Sequence, residues 1–135
     1  MITFEHVFTG MQVGLRKLDH SLASAFDEAT YTARHSNYKD VLYACVLGRP
    51  DDDGYFSPAS IRDPYSMIVG KSREIDAYNP QLKALSEGRG KILYRKGPER
   101  RRRYRFSDPL MEPYVLLMGI ASGRIDPQRM LGADK

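Results

Sequence analysis

The sequence predicts a mostly α-helical fold with one small β-hairpin. Several segments repeat apolar residues at intervals of three and four, which is the period of an amphipathic helix. Residues 92–95 and 103–106 are short β patterns instead, with basic and apolar residues alternating in the second, and a Gly-Pro pair lies between them, as in a hairpin. At 135 residues, 41 % hydrophobic and 28 % charged, the chain has the size and composition of one globular domain.

The first predicted helix covers residues 15–34, where apolar residues recur at helical spacing from Leu15 to Ala33. It is long relative to the elements that follow. We therefore interpret it as a brace for the rest of the fold or as an interface with another chain.

A second helix is predicted to follow a cap at Ser36 or Asn37 and to run to about Leu47, where Gly48 and Pro50 end it. Residues 51–54, Asp-Asp-Asp-Gly, predict a turn. The two apolar residues after the turn are long enough only for a minimal strand.

The third and fourth helices share a start signal of a cap residue followed by proline. The third covers residues 58–69 with Ser57 as its cap, and Pro64 should bend it or break it after Arg62. The fourth covers residues 80–87 with Asn79 as its cap. Its apolar residues, Leu82 and Leu85, and the preceding Tyr78 are predicted to face the core.

The hairpin and a final helix complete the predicted elements. In the second strand, Tyr104 and Phe106 alternate with Arg103 and Arg105, which predicts one apolar and one cationic face. Asp108-Pro109 starts the last helix, which should end near residue 121, and a loose tail is expected from Ser122 onward.

From Asn37 the predicted order is helix, minimal strand, helix, helix, hairpin, which is the order of a winged helix-turn-helix, here preceded by a long N-terminal helix. The helix before the hairpin would be the DNA-reading helix, and residues 97–102 would be the wing. The predicted organisation is an arm and bracing helix over residues 1–36, a winged-helix domain over 37–125 and a C-terminal tail over 126–135.

Particular segments carry a resemblance to a known family: Tyr-Lys-Asp-Val-Leu-Tyr-Ala-Cys at 38–45, Gly-Tyr-Phe-Ser at 54–57, Arg-Gly at 89–90, Arg-Tyr-Arg-Phe-Ser-Asp-Pro-Leu-Met at 103–111 and Pro-Tyr-Val at 113–115. Through them, the stretch from about Tyr38 to Ile125 resembles the C-terminal winged-helix domain of prokaryotic AAA-type ATPases. The resemblance implies contact with DNA or with a protein partner.

The ATPase core of that family is missing from this sequence. No Gly-x-x-x-x-Gly-Lys-Ser/Thr phosphate loop occurs, so ATP hydrolysis is not implied. The sequence leaves open whether the chain is a stand-alone protein or a fragment.

The charge distribution points to a polyanionic partner. Residues 89–135 carry twelve basic and five acidic side chains, a local balance of +7, whereas the rest of the chain has a slight acidic excess. Nine of the basic residues lie between positions 89 and 105 against the single acid Glu99: Arg89, Lys91, Arg95, Lys96, Arg100, Arg101, Arg102, Arg103 and Arg105. Five or six phosphate contacts there would give a salt slope of roughly −5.

The predicted DNA-reading helix offers polar side chains for base contacts: Asn79, Gln81, Lys83 and Ser86. The sequence therefore predicts a double-stranded DNA-binding module. An acidic protein partner, or a plain solvated surface, would also explain the charge run. The alternative function is a protein-interaction or oligomerisation module that contacts its own copies or acts as an adaptor or decoy for a AAA-type ATPase, with the first helix as the interface.

Catalytic and cofactor chemistry are not expected. His6, His20 and His35 have no ligand spacing with one another or with Cys45, and the three aspartates at 51–53 are better explained as turn formers than as a cation site. We expect no catalytic residues, no metal, no cofactor and no small-molecule substrate.

The single cysteine, Cys45, rules out an internal disulfide and fits a reducing cytoplasm. No apolar run approaches the roughly 18 residues that cross a bilayer. Residues 1–6 lack the start of a secretory signal. We therefore expect a cytoplasmic location and no membrane partner.

Overall fold

A computed structural model describes residues 21–32 and 36–130 of the chain. Within them the fold is mostly helical, with a two-stranded antiparallel sheet. The elements are α1 over residues 21–30, α2 (Tyr38–Leu47), α3 (Arg62–Val69), α4 (Asn79–Glu87), β1 (Leu93–Lys96), β2 (Arg103–Phe106), α5 (Met111–Ala121) and α6 (Pro127–Met130), joined in part by short 3-10 turns at Pro58–Ile61, Ile75–Ala77, Arg89–Lys91 and Glu99–Arg101.

The predicted hairpin is confirmed. Leu93 lies opposite Phe106 and Lys96 opposite Arg103 in an antiparallel register. The predicted minimal strand is also present, because Phe56 forms an isolated antiparallel bridge with Tyr104. Two backbone hydrogen bonds of 2.8 and 2.9 Å join these residues. Phe56 thus attaches the segment before α3 to the far side of β2.

One apolar core lies between the helices and the inner face of the hairpin. Its members are nearly all the apolar positions at helical or alternating spacing, including Leu22, Phe26, Val41, Leu42, Ile61, Leu82, Leu85, Leu93, Tyr104 and Val115. The Phe26 ring contacts Tyr43 at 6.4 Å and meets Tyr114 edge-on at 5.9 Å. The described part of α1 therefore packs on the same core as the elements after residue 37.

The first helix is shorter at its C-terminal end than the spacing predicts. It ends at residue 30, and residues 31 and 32 are not helical. Thr30 turns its hydroxyl back to the carbonyl of Phe26 at 2.8 Å, a local bond that competes with continued helix. Predictions for residues 1–20, 33–35 and 131–135 fall outside the described residues.

Of the three predicted caps, Ser57 is confirmed, Asn37 is confirmed in position only and Asn79 is wrong. Asn37 is the N-cap residue of α2, but its side chain makes no capping hydrogen bond, because the amide donates to the Tyr65 hydroxyl at 2.9 Å and to the Ala77 carbonyl at 3.2 Å. Asn79 is the first residue of α4 rather than its cap. The Ser57 hydroxyl does accept from the Ser60 N–H at 3.2 Å.

The predicted break in the third helix occurs earlier than expected. The chain changes from the 3-10 turn to α3 just before Arg62, not after it. Pro64 is the third residue of α3, where a missing N–H removes no intrahelical hydrogen bond. The proline is therefore accommodated without a further break.

The prediction of a loose tail from Ser122 is wrong for residues 122–130. Arg124 makes two hydrogen bonds to the Asp40 carboxylate, at 2.9 and 2.6 Å. Ile125 is fully buried against Gly119, where an added Cβ would lie 2.4 Å from the Ile125 side chain. The chain then forms the short helix α6, and Met130 is partly buried against the core.

None of the helices within residues 21–32 and 36–130 is long and apolar enough to cross a membrane.

Candidate nucleic-acid interface

An open groove of about 960 Å³ separates the start of α4 from the loop at the tip of the hairpin. We call residues 97–102 the tip loop. One wall of the groove is the tip loop with the first residues of β2. The other wall comes from the 3-10 turn at Pro58–Ile61 and the first turns of α4: Ser57, Pro58, Ala59, Ile75, Asn79, Pro80 and Lys83.

Tyr78 fixes the second wall of the groove. It is fully buried just before α4, and its hydroxyl donates to the Pro58 carbonyl at 2.5 Å. Burial raises the pKa of Tyr78 to about 12, so the hydroxyl remains a donor throughout the neutral range. This bond ties the Pro58–Ile61 turn to the N-terminal end of α4.

Gly97 allows the tip loop to fold tightly. Its φ is +91°, and a Cβ there would lie 2.7 Å from the carbonyl oxygen of Arg101. The Arg101 N–H in turn donates to the Pro98 carbonyl at 2.8 Å. The three arginines after Glu99 are therefore carried on a compact turn.

The tip-loop arginines differ in exposure. Arg100 and Arg101 are exposed, and neither forms an ion pair with a carboxylate of the described residues. Arg102 is half-buried and its Nε is buried without a hydrogen-bond partner. Burial raises the pKa of Tyr104, and a hydrogen bond from Arg102 opposes that shift.

Arg89, unlike Arg100 and Arg101, is held by bonds to the chain's own backbone and stabilises the fold. Its guanidinium donates to the Ala29 carbonyl at 3.1 Å and to the Tyr31 carbonyl at 2.7 Å. It also lies 3.9 Å from the centre of the Tyr38 ring. Arg89 therefore satisfies the C-terminal end of α1, where carbonyls lack intrahelical partners.

Two further predicted contact residues have carboxylate partners. Arg95 points to the inner side of the hairpin and pairs with Glu87 at the end of α4. Arg103 pairs with Asp51 at 2.5 Å. The hydrogen bond from Arg95 lowers the pKa of Glu87, and the Tyr55 N–H followed by Arg103 lowers that of Asp51. We call Arg89, Arg95 and Arg103 the base arginines; the name refers to their fixed partners within the fold, since Arg103 lies at the tip end of β2, opposite Lys96.

The outer face of the hairpin combines tyrosines with cations. We define it as Tyr55, Tyr94, Lys96, Arg103 and Arg105; Tyr94 and Arg105 are opposite one another in the register. Lys96 lies 4.1 Å from the centre of the Tyr55 ring. The Arg105 guanidinium lies 5.4 Å from the Tyr55 ring and 5.1 Å from the Tyr94 ring.

The polar residues predicted on α4 do not all face the groove. Asn79 and Lys83 line it and are exposed. Gln81 is half-buried with its Oε1 unpartnered, and the Ser86 hydroxyl donates to the Lys83 carbonyl at 2.9 Å. Lys91 is exposed beyond the end of α4.

The sequence interpretation missed Tyr55 and the pairing role of Asp51. Both lie close to the predicted minimal strand, so pairing that strand with the hairpin would have brought them near Arg103. The separation of 52 residues between Asp51 and Arg103 gives no local signal.

Residues considered for other chemistry occupy ordinary positions. Asp51 accepts from the Asp53 and Tyr55 N–H groups, both at 2.9 Å, as a turn former does. Cys45 is buried, and burial raises the pKa of its thiol. His6, His20 and His35 lie outside the described residues. Among the residues that are described, no group of three potential metal-ligating side chains occurs.

No known protein family, curated protein or solved structure matches this chain. The resemblance to ATPase winged-helix domains therefore stays a prediction from the sequence, and the functional argument depends on the geometry of the groove.

Proposed function

We propose that the chain is a double-stranded DNA-binding module in which residues 37–125 act as a winged helix. The observation that carries the proposal is the groove between α4 and the tip loop. Arg100 and Arg101 are exposed along one wall without a carboxylate partner among the described residues, and Lys83 is exposed on the other. A phosphate backbone is the partner that this arrangement suits.

The order of elements supports the winged-helix interpretation. α2, the Phe56 bridge, α3, α4 and the hairpin follow one another as in that fold. In the proposed arrangement α4 is the DNA-facing helix and the tip loop is the wing. The pairing of Phe56 with β2 supports it most, because a plain helical bundle with a hairpin has no need of that third strand.

The start of α4 adds to the attraction for phosphate. No side chain caps α4, and its first residues, Asn79 and Pro80, line the groove, so the N-terminal end of the helix lies at the groove. Helix N-termini carry a partial positive charge and bind anions. Together with Lys83 and the tip-loop arginines, this helix end makes the groove predominantly positive, against the single acidic residue Glu99 in its lining.

The proposed readout is weakly sequence-specific. Asn79 and Lys83 are the α4 side chains that reach the groove, whereas Ser86 and Gln81 are engaged or half-buried. Two side chains can discriminate only a small number of base edges. Most of the affinity is therefore assigned to phosphates.

The alternative, a protein-interaction or oligomerisation module, requires a contact surface on the first helix. In the described part of α1, the apolar residues Leu22, Phe26 and Ala29 are buried in the chain's own core. The exposed residues of this segment are Ser21, Ser24, Asp27 and Glu28, which are small or acidic. No described feature favours this alternative over the groove.

The test is a salt titration of binding to a random-sequence duplex, comparing the natural chain with Arg100→Ala/Arg101→Ala. We expect weaker binding to every duplex and a loss of about 2 in the salt slope, since each phosphate contact contributes about 0.9. The matched control is Arg49→Ala/Arg129→Ala, which removes two exposed cations far from the tip loop in sequence. Equal affinity of the tip-loop variant and the natural chain, or an equal loss in the control, would contradict the proposal.

A further inference from the structure

The outer face of the hairpin is a second basic surface, distinct from the groove. Its tyrosines do not contribute to the main core, and Tyr94 is 47 % exposed. The Tyr55 and Tyr94 rings lie side by side, with centroids 6.4 Å apart and planes at 52°. Tyr55 is half-buried beside Tyr94, so the exposed Tyr94 ring is the surface on which another planar group can stack.

Cations alternate with these rings. Lys96 and Arg105 both lie against Tyr55, and Arg105 also reaches Tyr94. Asp51, an acidic side chain that contacts this face, is already paired with Arg103. The face therefore keeps a net positive charge from Lys96 and Arg105.

Aromatic rings interleaved with cations match one class of partner. An unpaired nucleic-acid strand presents both bases that stack on aromatic rings and phosphates that pair with cations. A duplex hides the faces of its bases and gains nothing from the tyrosines. An acidic peptide would use the cations but leave the rings unexplained.

We propose that the outer face binds an unpaired nucleic-acid strand, with a base stacked on Tyr94 and the neighbouring phosphates on Lys96 and Arg105. This binding does not depend on the groove. The hairpin then offers a duplex surface at its tip and a single-strand surface on its outer side. A duplex with a single-stranded extension could occupy both.

The first experiment measures affinity for oligo-dT and oligo-rU probes of about 15 nucleotides, which is within the reach of one such platform. Tyr94→Ala should weaken binding of the preferred probe about tenfold, because stacking contributes strongly for each base. Tyr94→Phe should retain the affinity. Tyr31→Ala is the matched control, since Tyr31 is 74 % exposed just after α1 and is not part of the outer face.

The second experiment uses the absence of tryptophan from the sequence. Tyr94→Trp introduces a single indole whose fluorescence should be quenched when a base stacks on it, whereas Tyr31→Trp should not respond. Each variant is checked for an unchanged melting temperature before binding is measured.

The proposal is overturned if the natural chain binds neither probe, or if Tyr94→Ala binds within twofold of it. It is also overturned if Tyr94→Trp fluorescence is unchanged at saturation, or if Tyr94→Ala loses duplex and single-strand affinity equally. Failure of the duplex proposal is separate, because it would appear in Arg100→Ala/Arg101→Ala and leave the Tyr94 results intact.

Discussion

The base arginines and the tip-loop residues Arg100 and Arg101 belong to one basic segment of the sequence, but they differ in the structure. The base arginines each contact a fixed partner: two backbone carbonyls, Glu87 or Asp51. Arg100 and Arg101 at the tip contact no carboxylate of the described residues. One continuous basic segment thus divides into cations that stabilise the fold and cations that remain open to a ligand.

This division shows that the number of basic residues in a sequence segment overstates the number of cations that are open to a ligand. The nine basic residues between positions 89 and 105 are all candidates for contact when only the sequence is considered. Once the base arginines are assigned to the fold, six remain, and two of these belong to the tyrosine-rich outer face. The division between base and tip also makes predictions that can be tested by substitution.

The largest expected effect is on the stability of an Arg89→Ala variant. It loses two charge-assisted hydrogen bonds to the end of α1 and the contact with Tyr38, so the free energy of unfolding should fall by about 2–3 kcal/mol. Urea unfolding measures the change. Arg101→Ala is the control and should stay within about 0.5 kcal/mol of the natural chain. Equal losses would abolish the distinction between base and tip.

A smaller effect is expected when the partners of the base arginines are removed. Glu87→Gln releases Arg95, and Asp51→Asn releases Arg103. Each released cation can add one phosphate contact, so the salt slope of duplex binding should steepen by about 1 in each variant. Asp63→Asn is a control, because its contact with Arg62 at 3.6 Å lies outside the basic segment. An unchanged slope would mean that the base arginines cannot reach a duplex even when free.

The smallest expected effect is on stability in acid. The folded-state pKa values of Asp51 and Glu87 lie below their ordinary values of 3.8 and 4.5. Both pairs therefore stabilise the fold above those values, and the contribution is lost as the pH falls through the lowered pKa. Melting temperatures measured between about pH 6 and pH 3 should fall less in Asp51→Asn and Glu87→Gln than in the natural chain.

Glu112 provides a control of opposite sign. Burial raises its pKa, so its contribution grows as the pH falls and is lost as the pH rises. Glu112→Gln should therefore show a steeper fall in acid than the natural chain. If Asp51→Asn, Glu87→Gln and Glu112→Gln show the same change of melting temperature with pH, the carboxylates do not act as the geometry indicates.

The helices and the hairpin were largely predictable because they depend on local spacing. Leu82 and Leu85 lie three residues apart and are both buried, and Tyr104 and Phe106 alternate with exposed or half-exposed arginines. Periodicity of this kind is imposed by burial on one face. Helix α4 begins at Asn79, one residue earlier than predicted, because its first hydrogen bond runs from the Leu82 N–H to the Tyr78 carbonyl.

The roles of the arginines were not predictable in the same way. Arg89 bonds to a carbonyl 60 residues away, and Arg103 pairs with a residue 52 positions away. A carbonyl partner leaves no mark in a sequence, because every residue carries one. Arg95 and Glu87 are only eight residues apart, but they meet only because β1 runs back along α4. From the sequence alone, therefore, the basic residues that stabilise the fold could not be distinguished from those that are open to a ligand.

The return of the chain after α5 has a practical consequence for anyone who builds shortened or fused versions of this protein. Ile125 fills the space left open by the missing side chain of Gly119, and Arg124 holds the first turn of α2 through Asp40. A version cut after residue 121 would leave an apolar hollow beside Gly119 and would leave the Asp40 carboxylate without its arginine partner. Expression boundaries and tags should accordingly be set beyond residue 130.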